Sequence, residues 1–256
     1  MAELVIELIP ALSDNYLFLA YDRAEGVCAI IDPADADPVE ARLQERGLKL
    51  THILNTHHHM DHVGANLTLK DRHGLTIVGP AADRDRIPGI DVALSDGETY
   101  LLGSHEAKVF DVPGHTRGHI AYWFAADHAA FVGDTLFALG CGRLFEGTPK
   151  QMWASLNKLM ALPPDTKVYC AHEYTQSNAA FALTVDPDNE VLQARARAIT
   201  EARERGEPTV PTTIGIELET NPFLRPDSAT LRNTLNMQAA DNVDVFAEVR
   251  ARKDSF

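Results

Sequence analysis

The chain has 256 residues, 45% of them hydrophobic, which is enough for one large core or for a core with a smaller appended domain. Its net charge of −14 at pH 7 argues against nucleic acid and anionic membranes as partners. No stretch reaches the ~20 apolar residues that a membrane span needs. Three widely spaced cysteines argue against a disulfide framework, so a cytoplasmic protein is expected.

In the first two thirds of the chain, short β-rich runs alternate with turns and a few helical segments. Eight runs predict strands, at residues 4–9, 16–21, 27–31, 52–55, 109–112, 120–124, 130–132 and 168–170. Asp37-Pro38 and Thr148-Pro149 predict the starts of two helices, which Gly47 and Pro163-Pro164 end. This mixture favours layers of mostly antiparallel sheet with helices outside.

Helical periodicity replaces the strand pattern after about Glu173. It is clearest over residues 190–205, where Gly206 and Pro208 end it, and it returns near Leu231 and over 242–253. Two domains are therefore expected, a catalytic domain at 1–173 and a small α-helical, substrate-binding domain at 174–256.

A dense group of possible metal ligands follows the predicted strand at 52–55. His57, His59, Asp61 and His62 lie within six residues of one another. Imidazole nitrogens and carboxylate oxygens are ligands that zinc, iron and manganese accept, and a tight loop can turn all of them toward one point. A solvated histidine-rich loop is the alternative, but so many polar groups beside a buried strand would be costly without a cation.

Three further ligand types come at the ends of predicted strands, His115 after Pro113-Gly114, Asp134 after Gly133, and His172 after Ala171. In this order the residues resemble the metallo-β-lactamase superfamily, with its H-x-H-x-D-H motif. The resemblance implies an α+β fold, a four-layer αββα sandwich carrying here a small C-terminal helical domain. It also implies that His57, His59 and His115 hold one metal, that Asp61, His62 and His172 hold the other, and that Asp134 bridges them.

Two metal ions at such a centre can lower the pKa of a bridging water and present it as a nucleophile, while one ion stabilises the developing oxyanion. Asp61 and Asp134 are the predicted catalytic carboxylates, because they are ligands of the metal ions that would activate this water. The chemistry class is hydrolysis of an ester, amide, thioester or phosphodiester. Zinc is favoured as the metal, and iron or manganese would accept the same ligands.

Five segments carry information beyond the metal ligands, at residues 14–16, 140–148, 171–175, 221–225 and 250–254. Together they resemble glyoxalase II, the hydroxyacylglutathione hydrolases, over essentially the whole chain. The resemblance implies hydrolysis of S-D-lactoylglutathione to D-lactate and glutathione, the second step of methylglyoxal detoxification. It implies substrate contacts at Arg143, Phe145, Tyr174, Arg250 and Lys253.

Charge supports part of this assignment, since an acidic protein needs a local cationic site to hold the two carboxylates of glutathione. Arg250 and Lys253 are spaced to project from one helix face, whereas Arg252 points elsewhere. A solvated basic helix end, favoured by the helix dipole, is the alternative. Phe145 stands where some members have Tyr, which removes one hydroxyl. Cys141 is interpreted as structural.

Other functions make distinct demands on the sequence. A persulfide dioxygenase would use a single iron, a lactonase or β-lactamase would lack the pair Arg250 and Lys253, and a ribonuclease of the superfamily would show a broad basic surface. A metal-free binding protein that keeps the fold would not need intact ligands. The expected partner is a small-molecule glutathione thioester, bound by a monomer, with neither nucleic acid nor membrane.

Overall fold

The computed structural model describes residues 4–256, which divide into two compact units. The first unit is the chain up to Asp111 together with Arg117–Gly133. The second unit is Val112–Thr116 together with Asp134–Phe256. His115 and Asp134 therefore belong to the same unit as His172 and the helical C-terminal part of the chain.

The first unit contains two sheets. Its strands are β1 (Val5–Ala11), β2 (Asn15–Asp22), β3 (Val27–Ile31), β4 (His52–Leu54), β5 (Thr76–Pro80), β6 (Val92–Leu94), β7 (Thr99–Leu102), β8 (His105–Asp111), β9 (Ile120–Phe124) and β10 (Ala129–Gly133). The first sheet runs in the order β1 to β6, antiparallel from β1 to β3 and parallel from β3 to β6. Strands β7 to β10 form an antiparallel array in which β8 pairs with β7 and β9.

Apolar side chains of the two sheets face each other in this unit. Every residue of β2 is buried, and the ring of Phe18 lies 5.9 Å from that of Phe131. The hydroxyl of Tyr122, which is fully buried, donates to the Asn55 carbonyl at 2.9 Å. The helices of this unit are α1 (Ala36–Arg46), α2 (Met60–Val63) and α3 (Asn66–His73), with a 3₁₀ helix at Ala81–Arg86. Val39 and Leu43 of α1 and Leu69 of α3 join the core.

The second unit is mainly helical. Its elements are β11 (Leu136–Phe137), β12 (Gly140–Cys141), α4 (Pro149–Met160), β13 (Lys167–Cys170), α5 (Thr175–Val185), α6 (Glu190–Glu204), β14 (Thr212–Thr213), α7 (Ile214–Thr220), α8 (Ala229–Leu235) and α9 (Asn242–Asp254). Leu139, Ala182 and Leu192 share one apolar cluster. The rings of Trp153 and Phe246, 6.0 Å apart, join α4 to α9.

Each of the eight predicted strands overlaps an observed strand, and the predicted helices at 149 and 190 begin where expected. The expectation of mostly antiparallel sheets is wrong for β3 to β6, because α1, α3 and the 3₁₀ helix lie in crossovers that return the chain in the same direction. The first helix begins earlier than predicted, since the Asp35 side chain caps it by accepting from the Asp37 N–H. None of the helices within residues 4–256 has the length and apolar character for a membrane crossing.

Candidate metal centre and substrate-binding residues

Four of the seven predicted ligands lie on one loop of the first unit. His57 and His59 precede α2, and Asp61 and His62 lie within it. His57 Nε2 is 3.1 Å from His59 Nδ1, and His62 Nε2 is 3.5 Å from Asp61 Oδ2. The short helix thus gathers imidazole nitrogens and a carboxylate at one end of β4, as the motif predicts.

Asp32 organises this loop from beneath. Its side chain is buried, and its carboxylate accepts from the Thr56 N–H at 2.7 Å, the Thr56 hydroxyl at 2.6 Å and His62 Nδ1 at 3.1 Å. Its φ of 51° is in the left-handed region, where a residue other than glycine is strained. A strained backbone held by three hydrogen bonds indicates a fixed position.

These bonds also set the tautomers of two ligands. The Thr56 hydroxyl gives its proton to Asp32, so at His57 Nδ1, 3.1 Å away, the hydroxyl oxygen must accept. His62 Nδ1 likewise donates to Asp32. Both rings therefore carry their proton on Nδ1 and present the lone pair of Nε2, the arrangement that a metal ligand requires. The sequence interpretation missed Asp32, because Asp32-Pro33 after a strand is typical of an ordinary turn.

Two other histidines of the motif region have supporting contacts. The ring of His119 stacks on that of His57 at 4.6 Å, and its Nδ1 donates to the Ile120 carbonyl. The sequence interpretation assigned His119 to support of the turn that carries His115, and the structure also places it against His57 of the metal-ligand loop. His58 Nδ1 lies 3.1 Å from Asp83, consistent with its interpretation as a residue that alternates away from the ligands.

The other three predicted ligands come together in the second unit. Asp134 lies between two histidines, with Oδ2 3.3 Å from His115 Nε2 and Oδ1 3.4 Å from His172 Nε2. All three side chains are buried. One carboxylate with a different histidine at each oxygen is the arrangement that a bridging ligand needs.

The donor chemistry of this trio fits a bound cation. His115 Nδ1 donates to the Arg143 carbonyl at 3.0 Å, so Nε2 is the nitrogen that faces the Asp134 oxygen at 3.3 Å. With the ring neutral, Nε2 and this oxygen are two acceptors, and a cation bound between them would stabilise the pair. Gly142 is required here, because a Cβ at this position would lie 2.0 Å from the Asp134 carbonyl oxygen.

Three of the predicted substrate contacts surround this trio. Arg143 is 67% exposed at its side chain, while its backbone carbonyl orients His115. Phe145 is exposed and lies edge-on to the His115 ring at 5.1 Å. Tyr174 stacks in parallel on His172, with ring centres 4.8 Å apart. The loop and the start of α5 thus offer side chains to a ligand beside His115, Asp134 and His172.

Arg250 of α9 is a buried residue with protein partners. Its Nη1 donates to the Cys141 carbonyl at 2.8 Å, its Nη2 lies 2.9 Å from Asp254, and its guanidinium lies over the ring of Phe223. The bond to Cys141 ties α9 to the loop that carries Arg143. Burial raises the pKa of the Cys141 thiol to about 11, so this cysteine is not a thiolate at neutral pH.

Lys253 is more open than Arg250. Its ammonium donates to the carbonyl and the hydroxyl of Ser177 at 3.2 and 3.1 Å and lies between the rings of Phe181 and Phe256. Burial, together with the charges of Arg250 and Arg143, lowers the pKa of Lys253 to about 8. An anion that binds beside Lys253 would stabilise the protonated ammonium and raise its pKa again.

Two family models match the chain in succession. Residues 13–172 match the metallo-β-lactamase superfamily, and residues 173–256 match the model described as the hydroxyacylglutathione hydrolase C-terminus. A hydroxyacylglutathione hydrolase from Methylococcus capsulatus (strain ATCC 33009 / NCIMB 11132 / Bath) is 57% identical, over 97% of this chain and 97% of that protein. This chain belongs to the hydroxyacylglutathione hydrolase family.

Solved structures agree on the fold. The structure of ETHE1 from Myxococcus xanthus has a TM-score of 0.66 and 26% identity, and covers 98% of this chain and 99% of its own. TTHA1623 in a di-iron-bound form has a TM-score of 0.61 and 28% identity, over 86% of this chain and 100% of its own. The expected metallo-β-lactamase fold with a C-terminal helical domain is confirmed, as is membership of a hydrolase family.

Proposed function

We propose that this chain hydrolyses S-D-lactoylglutathione and related 2-hydroxyacylglutathiones to a 2-hydroxy acid and glutathione. The observation that carries the proposal is the double role of Arg143. Its carbonyl accepts from His115 of the predicted metal centre and so orients that ring. Its exposed guanidinium forms a cationic group together with Lys253 and Arg250. The backbone and the side chain of Arg143 thereby connect the reactive centre with the residues that would bind the anion.

The predicted centre holds two divalent ions, with zinc favoured. His57, His59 and His115 would bind one ion, and Asp61, His62 and His172 the other, with Asp134 shared. The tautomers set by Asp32 and the two oxygens of Asp134, each facing a different histidine, support this assignment. When bound, the ions supply a water activated at neutral pH and polarise the thioester carbonyl.

The side chains of the chain itself bind and orient the substrate. Lys253 and Arg143 would meet the glutathione carboxylates, and Arg250 would add its charge while holding the loop of Arg143. Tyr174 and Phe145 would line the path of the peptide part. The leaving group is a thiolate, with an ordinary thiol pKa of ~8.5, so it departs without a strong acid to protonate it.

The organisation of the protein follows from the same proposal. A catalytic domain would span 1–173 and a helical substrate-binding domain 174–256, in line with family models that meet between residues 172 and 173. We expect a cytoplasmic monomer. Support for a reducing compartment comes from Cys28, Cys141 and Cys170, which are buried thiols.

A thioesterase assay tests the function. Metal-loaded protein should release D-lactate and glutathione from S-D-lactoylglutathione with a kcat/KM at least a hundredfold above that for a simple lactone or a β-lactam. Equal or higher activity on the lactone or β-lactam would assign the chain to another branch of the superfamily. Oxygen consumption with a glutathione persulfide, in place of hydrolysis, would identify the dioxygenase alternative.

A further inference from the structure

Arg250 already has a carboxylate partner in its own helix. Its Nε donates to Asp254 Oδ1 at 3.1 Å, and its Nη2 lies 2.9 Å from the same oxygen. These two nitrogens lie on the guanidinium edge with which arginine pairs with carboxylates, and here both contact one oxygen of Asp254. The remaining nitrogen, Nη1, donates to the Cys141 carbonyl. Asp254 therefore already occupies the edge of Arg250 that an incoming carboxylate would bind.

Asp254 also faces the other cations of this group. Arg143 Nε lies 3.9 Å from Asp254 Oδ1, and Lys253 is its neighbour in the chain. The Asp254 side chain is 45% exposed, whereas that of Arg250 is 6% exposed. The aspartate is thus the more accessible member of the pair.

The position of Asp254 is unfavourable for the helix. It is the last residue of α9, where the negative end of the helix dipole disfavours a carboxylate and favours the basic residues Arg252 and Lys253. A residue that opposes the local preference of its helix, yet contacts two arginines at a proposed binding site, indicates a functional reason for its presence.

We propose that Asp254 is an internal counter-anion that competes with the glutathione carboxylate for Arg250 and Arg143. This inference rests on the proposed function. The glutathione product keeps both carboxylates of the substrate, so a purely cationic cluster would bind product as tightly as substrate. An internal carboxylate weakens both complexes and thereby favours release of glutathione after hydrolysis.

Calorimetric titration of the metal-loaded protein with glutathione tests this directly. Asp254→Asn keeps the shape and a hydrogen-bond acceptor but removes the charge, and it should lower the Kd for glutathione by about threefold or more. The inhibition constant of glutathione in the thioesterase assay should fall by the same factor. Asp254→Glu, which restores a carboxylate, should bind like the wild type.

Glu248→Gln provides the matched control. Glu248 lies on the same helix and pairs with Arg252 at 2.8 Å on the exposed side, so its loss changes the net charge equally without touching Arg250. This variant should leave the Kd within about twofold.

The two proposals fail in different ways. Unchanged or weaker glutathione binding by Asp254→Asn, beside a wild type that binds, would overturn the counter-anion role. A drop in Kd of equal size in Glu248→Gln would also overturn it, because net charge alone would explain the effect. Absence of glutathione binding by the wild type would instead contradict the proposed function.

Discussion

Asp32 is not a predicted metal ligand, but its hydrogen bonds should determine how tightly the site binds metal. It holds Thr56 and His62 directly and His57 through the Thr56 hydroxyl. Outer hydrogen bonds of this kind typically contribute about tenfold to a hundredfold in metal affinity. Asp32→Asn should therefore weaken metal binding by about that factor, measured by competition with a chromogenic chelator.

The matched control for this variant is Asp37→Asn, which makes the same change at an exposed position of α1. Its metal affinity should equal that of the wild type. Equal affinity of Asp32→Asn and wild type would show that the tautomers of His57 and His62 are set by other contacts.

Lys253 should give the enzyme a basic limb in its pH profile. Its pKa, lowered to about 8 by burial and by the charges of Arg250 and Arg143, means that the ammonium loses its proton as pH rises through that value. Because kcat/KM reports groups of the unbound enzyme, it should fall above pH 8 for lactoylglutathione. Lys253→Arg keeps its charge and should lack this limb. A limb of the same size in that variant would assign the titration to another group.

At the residue scale, the ligands were predictable and their supports were not. Spacing alone indicates a metal-binding loop, because His57, His59, Asp61 and His62 lie so close together in the sequence. Asp32 lies 24 residues from Thr56 in the chain, and only the parallel pairing of β3 with β4 brings the two together. Likewise, no local pattern places Asp254 against Arg143, since the two are joined by tertiary contacts.

At the scale of secondary-structure elements, His105 links three of them. The start of β8 places its buried ring between Asp127, at the β9–β10 turn, and Asp22, at the end of β2, with ring-to-carboxylate distances of 3.0 and 3.2 Å. Both ring nitrogens therefore donate, which requires the protonated ring. Burial opposes protonation, but the bonds to Asp127 and Asp22 outweigh it and hold the pKa of His105 above its ordinary value.

This contact should make stability depend on pH. The stabilisation is fully present below the unfolded histidine pKa of ~6.5 and is lost as pH rises through the raised folded value. The difference in melting temperature between wild type and His105→Gln should therefore be largest below about pH 6.5 and shrink as pH rises above that value. Asp127→Asn should show the same trend. A constant difference across this range would mean that folding leaves the pKa of this ring unchanged.

Elements with strong local signals were predictable. Helix α4 combines Pro149 at its first position with a complete capping box between Thr148 and Gln151, so its start is encoded locally. Strands β5 and β7 were missed, since β5 ends in Gly79-Pro80 and most of β7 is only partly buried or exposed. Their pairing with neighbouring strands determines them more than their own residues do.

At the scale of the whole molecule, the ligand set makes a countable prediction. Protein purified without chelators and loaded with zinc should contain about two equivalents of metal per chain, by elemental analysis. Asp134→Ala should hold fewer and lose several orders of magnitude in kcat, because two cations would face each other without the shared carboxylate. A stable maximum of one equivalent in the wild type would contradict the dinuclear assignment.

Family membership and fold extend over the whole chain, and they are what the sequence pattern indicates best. The order of ligands, the basic residues of α9 and the segment at 140–148 are each informative, and together they specify one family. The partition of the chain into units was harder to predict from the sequence. Residues 112–116 belong to the second unit although the chain on both sides of them belongs to the first, and this depends on contacts that are distant in sequence.

The central claim is that a cationic group on α9 and on the Arg143 loop selects glutathione thioesters for hydrolysis. It is tested most directly by comparing kcat/KM for S-D-lactoylglutathione with that for a lactoyl thioester of N-acetylcysteamine, which has no carboxylate. In the wild type the ratio should be a hundredfold or more. In Lys253→Ala it should drop by about tenfold through a higher KM, since a charge-assisted hydrogen bond is typically worth ~1.5–3 kcal/mol. Equal values for the two thioesters in the wild type would contradict the account.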